Sequence, residues 1–87
     1  PAAAPSPRTK LSYKEQRELD ALLARIEALE TEQQAIAAQT ADPSLFATDH
    51  QRASALLDRS ARIEDELMAA LERWEALEAL RAPRAPA

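Results

Sequence analysis

Glycine and cysteine are both absent from this 87-residue chain. Without glycine there is no phosphate-cradling loop of the kind nucleotide-binding enzymes use, so this segment is not itself an ATPase of that type. Without cysteine there is no disulfide framework, no thiolate nucleophile and no zinc site of the usual kind. The aromatics are limited to Tyr13, Phe46 and Trp74, too few to surround a wide core. No stretch holds the ~20 apolar residues needed to cross a bilayer, and the N-terminal residues lack the apolar run of a signal peptide. Proline is confined to the ends and to position 43, which leaves residues 11–41 and 48–80 uninterrupted.

Each of those stretches carries an apolar ladder at helical spacing. Leu19, Leu22, Ile26, Leu29, Gln33 and Ile36 follow alternating steps of three and four, and so do Leu56, Ser60, Ile63, Leu67, Ala70, Trp74 and Leu77. Hydrophobic residues make up 46% of the chain, but alanine supplies much of that share and buries little area, so a two-helix seam of modest stability is the expected core. Charged residues at 30%, with leucine, alanine, glutamate and arginine dominant, match a coiled coil rather than an enzyme. The expected fold is therefore all-α: an antiparallel two-helix coiled-coil hairpin with a short helical turn in its connection and disordered ends.

The expected organisation is a flexible proline- and alanine-rich linker over residues 1–9, a hairpin over 10–81 and a disordered tail over 82–87. Helices are expected over about 12–40 and 49–80, with the connection at 41–48. Ser12 and Glu15 form a capping-box signature for the first helix, and Thr48 with Gln51 offers the same to the second. Asp42 and Pro43 read as the cap and first position of a short turn that folds Leu45 and Phe46 over the closed end. Placing Thr40 opposite Asp49 makes facing residue numbers add to about 89, with Leu22 near Leu67 and Ile26 near Ile63. A slip of one heptad, with Leu22 near Trp74, keeps the same seam and stays open.

Catalytic readings are weak. His50 has no partner at ligand spacing and reads as a surface residue, with no metal site implied. Glu64, Asp65 and Glu66 read as a solvated outer face. Trp74 reads as a seam anchor rather than a base-stacking platform. Tyr13 either rests against the other helix near Leu80 or sits exposed among Lys10, Lys14 and Arg17.

Charge is more informative than its total of −4. Residues 1–17 and 73–87 meet at the open end of such a hairpin, and there seven cations face three carboxylates, a balance of +4. In the rest of the chain four cations face twelve carboxylates, a balance of −8. A basic end on an acidic protein suits weak phosphate contact, while the plainer reading is that these cations flank a linker and aid solubility.

The run Lys10-Leu11-Ser12-Tyr13-Lys14-Glu15-Gln16-Arg17-Glu18-Leu19 is followed by Arg25-Ile26-Glu27-Ala28-Leu29-Glu30, Asp42-Pro43 and the closing Glu72-Arg73-Trp74-Glu75-Ala76-Leu77-Glu78. Together they resemble the C-terminal domain of Uup-type ABC-F ATPases, from Lys10 to about Leu80. The opening and closing runs are the specific ones; the heptads between them match many coiled coils. The resemblance implies a cytoplasmic bacterial parent with two tandem ATP-binding cassettes, which alone would hold ATP and Mg, and no membrane domain. Members of that family act in translation or genome maintenance, and the C-terminal coiled coil is associated with DNA binding. Within the matching motif Lys10, Lys14, Arg17 and Arg73 are the phosphate contacts implied, with Arg8, Arg81 and Arg84 adding attraction and Tyr13 placed to stack on a base. The expected function is non-catalytic binding of DNA or structured nucleic acid, weak and largely independent of sequence, by a monomer rather than a dimer. The alternative is docking on a protein, whether the ribosome, the parent's cassettes or another copy.

Overall fold

The computed structural model describes residues 11–81; the expected linker and tail lie outside them. Three helices follow in order: α1 (Tyr13–Thr40), α2 (Pro43–Thr48) and α3 (His50–Arg81). α1 and α3 run antiparallel as a hairpin, roughly 42 and 48 Å long at ~1.5 Å per residue, and α2 forms the closed end. Among the described residues no backbone φ is positive, so a chain without glycine meets no turn that requires one.

Capping side chains set the helix starts. Glu15 N–H donates to Ser12 Oγ at 3.1 Å while Ser12 N–H donates to Glu15 Oε1 at 2.9 Å, the reciprocal capping box. Asp42 caps α2 by accepting from Ser44 N–H at 2.9 Å, with Pro43 in the first helical turn. The start of α3 differs from expectation. Asp49, not Thr48, is its cap, accepting from Arg52 N–H at 3.1 Å. Thr48 instead closes α2 and donates its hydroxyl to Ser44 O at 2.7 Å. Asp49 serves both elements, because its own N–H donates to Leu45 O at 2.8 Å. Leu45 is half-buried in this turn, whereas Phe46 stays 39% exposed.

The seam is thin. Leu19, Leu29 and Ile36 from α1 and Ala53, Ile63, Ala70 and Leu77 from α3 are buried, and Leu29, Ile36 and Ile63 form the central cluster with Leu56 and Leu67 beside it. Gln33 and Ser60 are half-buried in the ladders, as is Trp74, whose Nε1 is enclosed without a hydrogen-bond partner in the protein.

Four polar pairs cross from α1 to α3 and fix the register. Arg73 Nε and Nη2 donate to the Glu18 carboxylate at 2.7 and 2.8 Å, and Arg25 Nη2 reaches Glu66 Oε1 at 2.7 Å. Arg59 Nε and Nη2 grip Glu32 at 2.7 and 2.8 Å, and Arg52 Nη2 donates to Gln39 Oε1 at 2.7 Å. The participants recur every seven residues on both helices, at 18, 25, 32, 39 and at 52, 59, 66, 73, so each pair adds to 91. That register is close to the expected 89 and rejects the slip that sets Leu22 near Trp74, for which facing numbers add to 96; a full heptad from the observed register would set Arg25 against Arg73 and Glu32 against Glu66. Complementary polar groups at the flanking positions of the two helices thus specify alignment, as such positions do in coiled coils.

Candidate nucleic-acid interface

The first turns of α1 and the last turns of α3 lie together at the open end, because a hairpin returns its chain to where it began. Tyr13, Lys14 and Arg17 are all exposed there. Tyr13 is 78% exposed, which decides between its two expected positions: it does not pack on α3. Arg17 lies over its ring, with Cζ 5.8 Å from the ring centroid, and Nη1 donates to the Tyr13 hydroxyl at 3.4 Å. One turn of helix separates the two residues, so helical geometry alone brings guanidinium and ring together. The result is an exposed aromatic beside two cations.

The remaining expected contacts are placed differently. Arg73 holds Glu18 in a bidentate pair, which keeps its guanidinium pK above the ordinary arginine value and holds the Glu18 carboxyl below the ordinary glutamate value. Arg81 is exposed but paired with Glu78 on its own helix, at 2.7 Å. Lys10, Arg8 and Arg84 lie outside the described residues. Sequence reasoning assigned Glu18 to the acidic body, yet the hairpin carries it to the open end. Counted over 11–18 and 73–81, four cations now meet four carboxylates. The basic excess counted over 1–18 and 73–87 in the sequence therefore comes from Arg8, Lys10 and Arg84, outside the described residues. The signal that could have revealed Glu18 is the seven-residue recurrence of Glu18, Arg25 and Glu32 beside one ladder and of Arg59, Glu66 and Arg73 beside the other.

The acidic body is not uniformly solvated either. Glu66, expected on the outer face, is half-buried and accepts from both Arg25 and Arg59, the latter at 2.8 Å from Nη1. Arg59 links Glu32 and Glu66, and that environment raises its pK while lowering that of Glu32. His50 is exposed in the first turn of α3, its Nδ1 3.5 Å from Ser54 Oγ. Among the described residues no polar or charged residue is buried, no group of three or more His, Cys, Asp or Glu is arranged to hold a metal ion, and no helix is long and apolar enough to cross a membrane.

The sequence profile of the ABC transporter C-terminal domain matches residues 10–79, from the lysine ahead of the α1 cap almost to the end of α3. The chain belongs to this family. Among family relatives, the ATP-binding protein Uup of Escherichia coli K12 is 47% identical over 73 residues, covering 84% of this chain and 12% of that protein. An ATP-binding protein Uup of Haemophilus influenzae is 48% identical over 69 residues, covering 79% of this chain and 11% of that one. The chain thus spans about an eighth of the length of these curated relatives. A solved structure described as "The C-terminal domain of the Uup protein is a DNA-binding coiled coil motif" superimposes with a TM-score of 0.71 at 46% identity, over 84% of this chain and 86% of that one. The family assignment agrees with the coiled-coil hairpin formed by α1 and α3.

Proposed function

We propose that this ABC transporter C-terminal domain is a non-catalytic DNA-binding hairpin, acting as a monomer in the cytoplasm as part of a tandem ATPase. ATP and Mg belong to the cassettes of that parent and not to this chain. The observation that carries the reading is the close likeness to a Uup domain described as DNA-binding, joined to an open end where Tyr13, Lys14 and Arg17 are exposed together. Lys14 and Arg17 contact phosphates, Lys10, Arg8 and Arg84 add attraction, and Tyr13 stacks on an accessible base. Arg73 acts chiefly through Glu18, holding α3 against α1 so that both ends of the hairpin reach the same DNA, while Arg81 contributes at the margin. Such contacts position a protein on the backbone without reading sequence, so binding is weak, salt-sensitive and broadly sequence-independent.

The test is a titration of the isotope-labelled chain with duplex and branched DNA at low and moderate salt, followed by backbone amide shifts. Shifts confined to residues 10–17 and 73–84, and lost at moderate salt, are expected. Lys14→Glu with Arg17→Glu abolishes them while leaving the thermal transition in place; retained affinity in that folded variant excludes this site. Docking on the parent's cassettes or on the ribosome, the second reading, is favoured if no DNA shifts anything at low salt.

A further inference from the structure

The outer flank of α3 carries a second surface with the opposite chemistry. Leu67, Met68 and Leu71 floor an open groove of about 330 Å³ whose rim is Glu64, Glu72 and Glu75. Met68 is 65% exposed and Leu71 42%, so the apolar floor is continuous with the seam at half-buried Leu67 but is not covered by α1. No cation lines the groove. Glu66 and Glu78 on the same helix are engaged by arginines, but Glu64, Glu72 and Glu75 make no ion pair or side-chain hydrogen bond among the described residues. Unneutralised carboxylates around exposed aliphatic side chains are an unusual use of a surface, since each feature alone is common but their combination selects a partner.

We infer that this groove docks a cationic amphipathic helix, one that lays leucine-like side chains on Leu67, Met68 and Leu71 and sets lysines or arginines against Glu64, Glu72 and Glu75. Charge excludes the competing occupants. Nucleic acid is repelled by the rim, and a symmetric second copy would bring six carboxylates into one interface. A helix is the shape that fits, because the lining residues recur at steps of three, four and eight along one face and a partner helix matches that repeat. Met68 suits such a surface, its unbranched thioether chain adapting to differing apolar partners. The groove lies on the α3 flank and the Tyr13–Arg17 pair at the open end of α1, so this docking does not depend on the DNA-binding reading.

The experiment uses the intact chain and two synthetic 14-residue peptides of identical apolar pattern, one of leucine and lysine and one of leucine and glutamate. The leucine–lysine peptide shifts amides of residues 64–75, and the leucine–glutamate peptide does not. Met68→Ser with Leu71→Ser, both at exposed positions, lowers the calorimetric affinity at least tenfold with helicity unchanged. Glu64→Gln with Glu72→Gln and Glu75→Gln lowers it by a similar factor and decides the matter independently if the first variant loses helix. Lys14→Glu with Arg17→Glu leaves it unaltered. Shifts spread over the whole acidic body, or an unchanged affinity in the serine variant, overturn the proposal in favour of non-specific charge attraction.

Discussion

Ile63 has no exposed surface and packs with Leu29 and Ile36 at the centre of a seam only two helices thick. Because no third layer can collapse into the space, Ile63→Ala forfeits both transfer energy and packing, about 3 kcal/mol on the scale of comparable core truncations. In a domain of modest stability that loss moves the urea midpoint by a large part of its value, which denaturation followed by circular dichroism reads directly. Leu57→Ala, at a half-exposed position on the same helix, changes it little. Glu32 ties stability to pH. Its folded-state pK is lowered, first by hydrogen bonds from Arg59, so the stability it confers is fully present above its unfolded value of about 4.5 and is lost as pH falls through the lower folded value. The wild-type chain therefore melts above Glu32→Gln at pH 7, and the gap between them closes below about pH 4.5. Comparing the pair removes the opposing effect of neutralising the acidic body. A gap independent of pH would show that the carboxylate charge does not matter.

Between elements, alignment rests on complementary charge across the seam. The ladders of α1 and α3 tolerate sliding by a heptad, since aliphatic side chains meet in either case, but the flanking pairs do not, because a slip juxtaposes like charges. Arg73→Glu places a carboxylate against Glu18 and lowers the melting temperature; adding Glu18→Arg restores most of it, with the exchanged pair bridging the same turns. A double variant no more stable than Arg73→Glu would remove Glu18–Arg73 from the set that fixes register. The hairpin, its helix starts at Ser12 and Asp42 and its seam were legible in the sequence because each depends on local chemistry: helical period, capping oxygens and proline placement. The α3 cap was misread because Thr48-Asp49 offers two adjacent capping residues, and the choice depends on how α2 closes over Asp49 N–H. Glu18 and Glu66 were misread for a related reason. Whether a carboxylate is solvated or paired depends on the facing helix, and a register two residues from the expected one decides which arginine it meets.

At the scale of the whole molecule, charge is divided by location. The described open end is balanced, with Arg73 and Arg81 engaged by Glu18 and Glu78, so the proposed attraction for phosphate would draw on Lys14 and Arg17 together with Arg8, Lys10 and Arg84. Each phosphate neutralised on duplex DNA contributes roughly −0.9 to the slope of log affinity against log salt. Five cations acting together correspond to a slope of roughly −4.5, and a shortened chain of residues 11–81, retaining Lys14 and Arg17, to roughly −2. The shortened chain keeps Ser12, the seam and all four cross-helix pairs, so its melting temperature should be close to that of the full chain. Fluorescence anisotropy with one labelled duplex across a salt series separates the outcomes. A halved slope at unchanged melting temperature places most of the electrostatic attraction in the flanking residues, and an unchanged slope assigns it to the hairpin itself, where exposed Arg62, or release of Arg73 from Glu18 or of Arg81 from Glu78, would supply the missing contacts.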